Sequence, residues 1–423
     1  MENTFIKTAK WKTVEILYKS AEDLERRYIK AFRESVRKLS MICGTELGEF
    51  IDKLTRVSRI GFYSYIAKEL GIKERLVYSY VRKLQKNGFK FTVDINLKRI
   101  GLYKYFIHIP QLIDFNIIRN NETIAWLNYY SITLNPIGTL LAYFIPYNLK
   151  DELLRKINRF IMEIIGNKED KGIFVHFYIG SRHQPVFHRA PFSQHKFIHG
   201  FLFDEIIESF KYNQLDDIMF KSIIDKINSK FSSPYDAVDL IILKEYDIDA
   251  FTTVQDIAKK YPISQRIILK HLNNHINNKK IIQGIFLKSN IYSSFLFKIL
   301  GIFLFLNDLD NAVRVFNFFR NFDYSLSINL GIPDEIMREQ KYEFIILVQV
   351  AVPQLRVYEF LKFLDYLRRH NYVMSYKLYE ILPDTFVRFT IPYLNFDQER
   401  KDWTLDVKNV QELLMRRFMI PRV

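Results

Sequence analysis

Two short stretches of this chain carry side chains suited to reading a nucleic acid. Between Lys73 and Phe91 the one acid is Glu74. On a helix, Val77, Val81 and Leu84 would share a face. The opposite face would then show Arg75, Tyr78, Ser79, Arg82, Lys83 and Lys86. Arginine can donate two hydrogen bonds to guanine O6 and N7, and serine and tyrosine can reach bases or phosphates. Lys73 and Lys90 flank the set, placed to neutralise phosphates. The second stretch sets Ile268 and Leu272 inward and Ser264, Gln265, Arg266, Lys270, His271 and Asn274 outward. Ser264 is a good helix N-cap, Gln265 suits adenine and Arg266 suits guanine. His275 falls where the first stretch has Leu84, and Lys279, Lys280 and Lys288 follow as cations for a wing.

A third group is rich in histidine: His183, His188, His195 and His199, around Arg182 and Arg189. His195 and His199 have the spacing of two ligands on a helix face. No Asp or Glu lies between Ile173 and Phe203, however, and Pro185 and Pro191 interrupt a helix. We therefore read a basic loop touching phosphate through Arg182, His183, His188 and Arg189, and no metal. No glycine-rich phosphate loop, nucleophile elbow or paired-carboxylate motif is found. The expectation is a protein without catalytic residues or cofactor. Cys43 is the one cysteine, which excludes an internal disulfide and a cysteine-based zinc site.

To enter a groove, a helix must be held by others. Glu46–Arg56, Phe62–Leu70 and Glu74–Lys86 read as three helices, with Gly71 at the turn, Asn87-Gly88 as a stop and Phe89–Ile95 as a wing strand. This is the plan of a winged helix-turn-helix. Ile66-Ala67-Lys68-Glu69-Leu70-Gly71-Ile72 recurs as Ile257-Ala258-Lys259-Lys260-Tyr261-Pro262-Ile263, with the alanines 191 positions apart. Pro262 replaces the turn glycine. Behind each copy the periodicity runs strand, helical segment, strand, strand, helix, strand, which is ferredoxin-like. In the first copy the strands read Tyr103–Ile109, Trp126–Leu134, Leu140–Ile145 and Ile173–Ile179, with a helix over Leu149–Ile165. In the second they read Phe295–Phe305, Ser325–Leu330, Tyr342–Val350 and Tyr372–Leu378, with helices over Leu309–Phe319 and Val357–Arg369.

The fold class expected is therefore α+β, with tandem winged helix-turn-helix and ferredoxin-like α/β sandwich domains. Residues 1–45 form a helical extension, 46–100 the first winged unit and 101–212 the first ferredoxin-like domain with its basic tail. Residues 213–290 hold a linker helix and the second winged unit, and 291–423 the second ferredoxin-like domain with a C-terminal helix over Val410–Phe418. Lys7 to Met41 lacks Gly and Pro and repeats apolar residues every three or four positions. It reads as a helix packed on its own chain or as a dimerisation helix.

The 423 residues carry a net charge of +15, which favours a polyanionic partner. The greasiest run, Phe295–Leu306, holds Lys298 and is shorter than the roughly 20 residues that span a bilayer. A cytoplasmic protein without a membrane partner is expected. The first copy resembles the Lrp/AsnC family of archaeal and bacterial regulators. The resemblance is carried by Ile66-Ala67-x-x-Leu70-Gly71-Ile72, Val77-x-x-x-Val81-Arg82-Lys83-Leu84, Asn87-Gly88-Phe89 and Ile100-Gly101-Leu102. It implies a ferredoxin-like domain that pairs strands between subunits and can bind amino acids there. Two copies in one chain imply that this pairing occurs within the chain. The function expected is a transcription regulator reading two non-identical half-sites of double-stranded DNA. A homodimer and a small-molecule effector are left open. One alternative is a nucleoid or assembly protein that binds DNA without sequence choice. The other is a tetrapyrrole enzyme like the siroheme decarboxylases, using Arg182, His183, His188 and Arg189.

Overall fold

The three- and four-residue apolar spacing folds as helices where it buries a face. The computed structural model describes residues 29–30, 32–166, 172–182, 202–212, 235–288, 296–337, 342–382, 385 and 387–405. His183, His188, Arg189, most of the N-terminal helix and the Val410–Phe418 helix lie outside the described residues. The first winged unit contains α1 (residues 32–42), α2 (Glu46–Leu54), α3 (Tyr63–Leu70) and α4 (Glu74–Lys86). Leu39 and Ile42 of α1 are buried, and Arg37 Nη1 donates to Asn87 Oδ1 at 2.7 Å. The described end of the N-terminal helix thus packs on its own chain. Gly71 closes α3 at φ 66°, a left-handed conformation that costs glycine little. A Cβ there would meet nothing within 4 Å, so the backbone angle alone selects glycine.

The strand β1 (Lys90–Ile95) follows. Then come β2 (Leu102–Ile109), α5 (Phe115–Arg119), β3 (Leu127–Leu134), β4 (Gly138–Pro146), α6 (Lys150–Ile165), β5 (Ile173–Arg182) and α7 (Phe203–Tyr212). The second winged unit holds α8 (Ala237–Ile248), α9 (Val254–Lys260) and α10 (Gln265–His271), which runs on as a π-helix over Leu272–Asn277. After β6 (Ile282–Lys288), the chain forms β7 (Phe297–Leu306), α11 (Leu309–Asn321), β8 (Ser325–Pro333), β9 (Phe344–Pro353), α12 (Val357–Arg369), β10 (Ser375–Ile381) and β11 (Val387–Arg388).

The wing expectation is corrected by the pairing. Each winged unit supplies one strand, and β1 pairs antiparallel with β6 of the other unit, from Lys90↔Lys288 to Ile95↔Ile282. Phe91 and Val93 are buried, and so are Thr92 and Asp94, which alternate with them. A strand covered on both faces must satisfy its backbone groups from a neighbour, and the other unit supplies it. The two units share one interior. Asn277 Nδ2 donates to Ile60 O, and Ile60 N donates back to Asn277 Oδ1, both at 3.2 Å. A Cβ at Gly284 would stand 2.3 Å from Thr55 O, so glycine is what allows β6 to approach α2 this closely.

The remaining strands close a ring. Strand order is β5-β2-β4-β3 in one half and β10-β7-β9-β8 in the other, the ferredoxin-like order twice. β5 pairs antiparallel with β8, and β10 pairs with β3, so each half lends its last strand to the other's second strand. The pairing within one chain that the repeat implied is thus present, as an α+β fold with a large antiparallel sheet. Among the described residues, no helix is long and apolar enough to cross a membrane.

Candidate nucleic-acid interface

Helix α4 takes its aim from the residues beneath it. Val77, Val81 and Leu84 are fully buried, and each such burial is worth roughly 1.5–3 kcal/mol. That holds the helix in one rotational setting. Its outer side presents Arg75, Tyr78, Ser79, Arg82, Lys83 and Lys86, which with Asn87 line a shallow open depression. Tyr78 meets Tyr63 edge-on at 5.5 Å, and the Arg82 guanidinium lies 5.4 Å over the Tyr78 ring. Tyr63 in turn stacks at 6.2 Å on Phe251 of the second unit. Among the described residues, no ion pair involves Arg75, Arg82, Lys83 or Lys86. Lys73 and Lys90 are exposed beside this face. The face can therefore offer guanidinium forks and ammonium groups to an anion without first breaking an internal bridge.

The second stretch is built differently. Ser264 caps α10 by accepting from Ile267 N at 3.3 Å. Gln265, Arg266 and Lys270 are exposed, as are Asn274 and Lys280, while Lys279 is half-buried. The outward assignment of His271 is corrected. Its Nδ1 lies 3.0 Å from Asp239 Oδ1 and 3.4 Å from Asp236 Oδ1, pointing to the unit's interior. Asp239 is completely buried, and a buried carboxylate must find hydrogen-bond donors. Leu272, Ile276 and Asn277 of the π-helix are buried as well. The part of this helix open to a groove is confined mainly to its first two turns. The turn before it has no left-handed residue where Pro262 replaces glycine: Tyr261, which ends α9, is extended at φ −124°.

Arg182, expected on a phosphate-binding loop, is also turned inward. It ends β5, and its Nη1 donates to Thr92 Oγ1 at 3.1 Å. Its guanidinium lies 3.9 Å from Asp94 and 3.6 Å from Asp247. Arg388 reaches the same Asp247 carboxylate at 2.6 Å from the other half of the ring. The two arginines come from strands that do not correspond, Arg182 from the end of β5 and Arg388 from β11. They tie the paired wings to the ring and, with Lys104, compensate the Asp94 and Asp247 carboxylates. Arg388 was missed in the sequence, and its place in the repeat gives no signal for it.

A second cluster was missed altogether. Asp236 and Asp239 open α8, and His271 and His275 face them from α10 and its π-helical continuation. The donor atoms of all four lie within 4.8 Å of one another. Asp-x-x-Asp and His-x-x-x-His were both readable, but only the packing of α8 against α10 brings them together.

No protein-family model matches the chain, and no curated protein matches it. Among solved structures it is similar to siroheme decarboxylase NirDL, with 12% identity and a TM-score of 0.48, covering 88% of this chain and 99% of that one. It is also similar to the same enzyme in complex with an iron-uroporphyrin III analogue, with 12% identity and a TM-score of 0.45, covering 79% and 88%.

Proposed function

We propose that this protein binds double-stranded DNA as a sequence-specific transcription regulator, with α4 as its principal reading helix. The observation that carries the reading is the outer face of α4. Four cations stand there on a helix whose opposite face is locked into a core, with Tyr78 and Ser79 between them. In this reading Arg75 and Arg82 meet base edges, and Lys83, Lys86, Lys73 and Lys90 meet phosphates. The first turns of α10 add a weaker contact through Gln265, Arg266 and Lys270. The bound site is therefore asymmetric, and the protein acts by occupying it rather than by catalysis.

The test is Arg75→Ala with Arg82→Ala. The variant should keep the wild-type circular dichroism spectrum and lose its footprint on sites selected from random duplexes. Lys83→Ala with Lys86→Ala, which removes two phosphate contacts, should instead lower the slope of log K against log salt by about 2. An unchanged footprint overturns the assignment to α4. Steep salt dependence without any preferred site leaves DNA binding but removes sequence choice, as in a nucleoid protein. Titration with siroheme should give no spectral shift, and a stoichiometric shift would replace this reading with a tetrapyrrole one.

A further inference from the structure

The cluster of Asp236, Asp239, His271 and His275 has a geometry that capping and ion pairing do not require. Asp236 caps α8 by accepting from Val238 N at 2.9 Å and Asp239 N at 3.1 Å, and Asp239 Oδ2 accepts from Asp236 N. That capping box needs no histidine. Yet both imidazoles turn the same nitrogen, Nδ1, to opposite oxygens of the one Asp239 carboxylate, at 3.0 and 2.9 Å. Asp239 is fully buried, and among the described residues no lysine or arginine pairs with it.

The backbone adds a separate observation. Immediately after His271 the helix widens from α to π over Leu272–Asn277. π turns are rare and frequently occur at functional sites. His271 is the last residue of the α turn and His275 lies within the π turn. The His271 and His275 rings stand 4.8 Å apart, centre to centre. Two imidazoles so close, aimed at two carboxylates, form an N2O2 donor set.

We propose that these four side chains bind a divalent ion of the zinc class, which clamps α8 to the reading helix of the second winged unit. A tetrahedral ion bound at about 2.0–2.1 Å spaces its donors by about 3.4 Å. The donors in direct contact are separated by 2.9, 3.0 and 3.4 Å, and all four lie within 4.8 Å, so binding would draw the more distant pairs inward. With the ion bound, each neutral imidazole would offer the Nδ1 lone pair and carry its single proton on Nε2. Imidazole with carboxylate favours zinc, cobalt or nickel over magnesium or calcium, which prefer oxygen alone. Asp236, His271 and His275 are each partly exposed, so an ion can reach the site from solvent. The clamp does not depend on the DNA reading.

The experiment uses the full chain, stripped with chelator and dialysed. Zn2+ titrated by calorimetry should bind with one strong equivalent. Co2+ should give the intense visible absorption of a tetrahedral site, and Zn2+ should raise the melting temperature. His271→Ala and His275→Ala, at partly exposed positions, should each weaken Zn2+ binding by about a hundredfold or more. Their circular dichroism at 20 °C should be unchanged. Zn2+ that binds the double variant as tightly as the wild type lies elsewhere, and overturns the proposal. So does a wild-type protein that binds neither ion. Asp236→Asn, which keeps an oxygen for the helix cap, gives a second measure if a histidine variant fails to fold. It should lower Zn2+ affinity, and unchanged affinity in it removes Asp236 from the site.

Discussion

Lys104 stands on β2 beneath Arg182, Asp94 and Asp247. Burial, together with the nearby Arg182 guanidinium, pushes its ammonium group down to about 8, and the two carboxylates only partly offset this. In the unfolded chain the same lysine keeps its proton to about 10.4. Between these values the unfolded state binds more protons, so the contribution of Lys104 to stability rises with pH. The lysine therefore costs stability below pH 8, and that cost is relieved above it. Lys104→Met should be more stable than the wild type at pH 7, and the gap should narrow as pH climbs from 8 to 9.5. Urea denaturation of both proteins at half-unit intervals measures it. A gap constant across that window would mean that Lys104 does not titrate there. Arg182 and Arg388 illustrate the same point about charge. Composition shows that a cation is present, but only the fold shows whether it faces solvent or a buried aspartate.

At the scale of the element, α8 has a low amphipathic contrast because several of its charged residues are buried. Lys244 and Glu245 are both nearly inaccessible and in contact at 2.5 Å. Glu245 also accepts from Lys260 Nζ at 2.9 Å and from Tyr261 Oη at 2.7 Å, which fastens the end of α9 to α8. Burial alone would raise the Glu245 carboxyl. Hydrogen bonds from Lys244, Tyr261 and Lys260 outweigh it and hold the group below the usual carboxylate range. Its stabilising effect is therefore complete above the ordinary pKa near 4.3 and is lost as pH falls through the lower folded value. Glu245→Gln leaves Lys244 buried without its charge partner and should cost about 3–5 kcal/mol at pH 7. The difference from the wild type should shrink in acid. A loss under 1 kcal/mol would show that water or another group compensates Lys244. Helices and strands were largely legible because their cores repeat at 3.6 or 2 residues, and α4 has the bounds its apolar spacing gave. The ties between elements were not. Asp239 with His271, and Glu245 with Tyr261, join residues that no local period connects.

The whole molecule is a ring of eight strands with two seams, and the seams are unequal. β5 and β8 pair through seven positions, from Val175↔Pro333 to Arg182↔Ser327. β3 and β10 pair through two, Glu380↔Leu134 and Ile381↔Thr133, and after a break β11 adds Val387↔Tyr130 and Arg388↔Tyr129. At the short seam the chain substitutes other contacts. Thr385 Oγ1 accepts from Ile132 N at 2.9 Å, and Asn128 exchanges hydrogen bonds with the backbone of Phe389 at 2.8 and 2.9 Å. The repeat in the sequence foretold that the halves would pair, since each has a ferredoxin-like strand order with two free edges. It could not foretell the inequality, because the number of rungs at a seam depends on where two distant strands stop, not on the residues of either. Two identical subunits would have identical seams by symmetry. Joining the copies in one chain releases that constraint: the long seam keeps its rungs on one strand, and the other divides fewer rungs between β10 and β11. Sub-global opening should follow the weaker boundary. Native-state hydrogen exchange, read by mass spectrometry on peptides from β3 and β10, should show protection about tenfold or more below that of β5 and β8. Ile381→Asp, which places a charge at a buried position of the short seam, should widen this difference and leave β5 and β8 protected to the extent the mutant's lower global stability allows. Equal protection at both seams in the wild type would mean that Thr385, Asn128 and Phe389 restore what the missing rungs remove, and that the ring opens only as a whole.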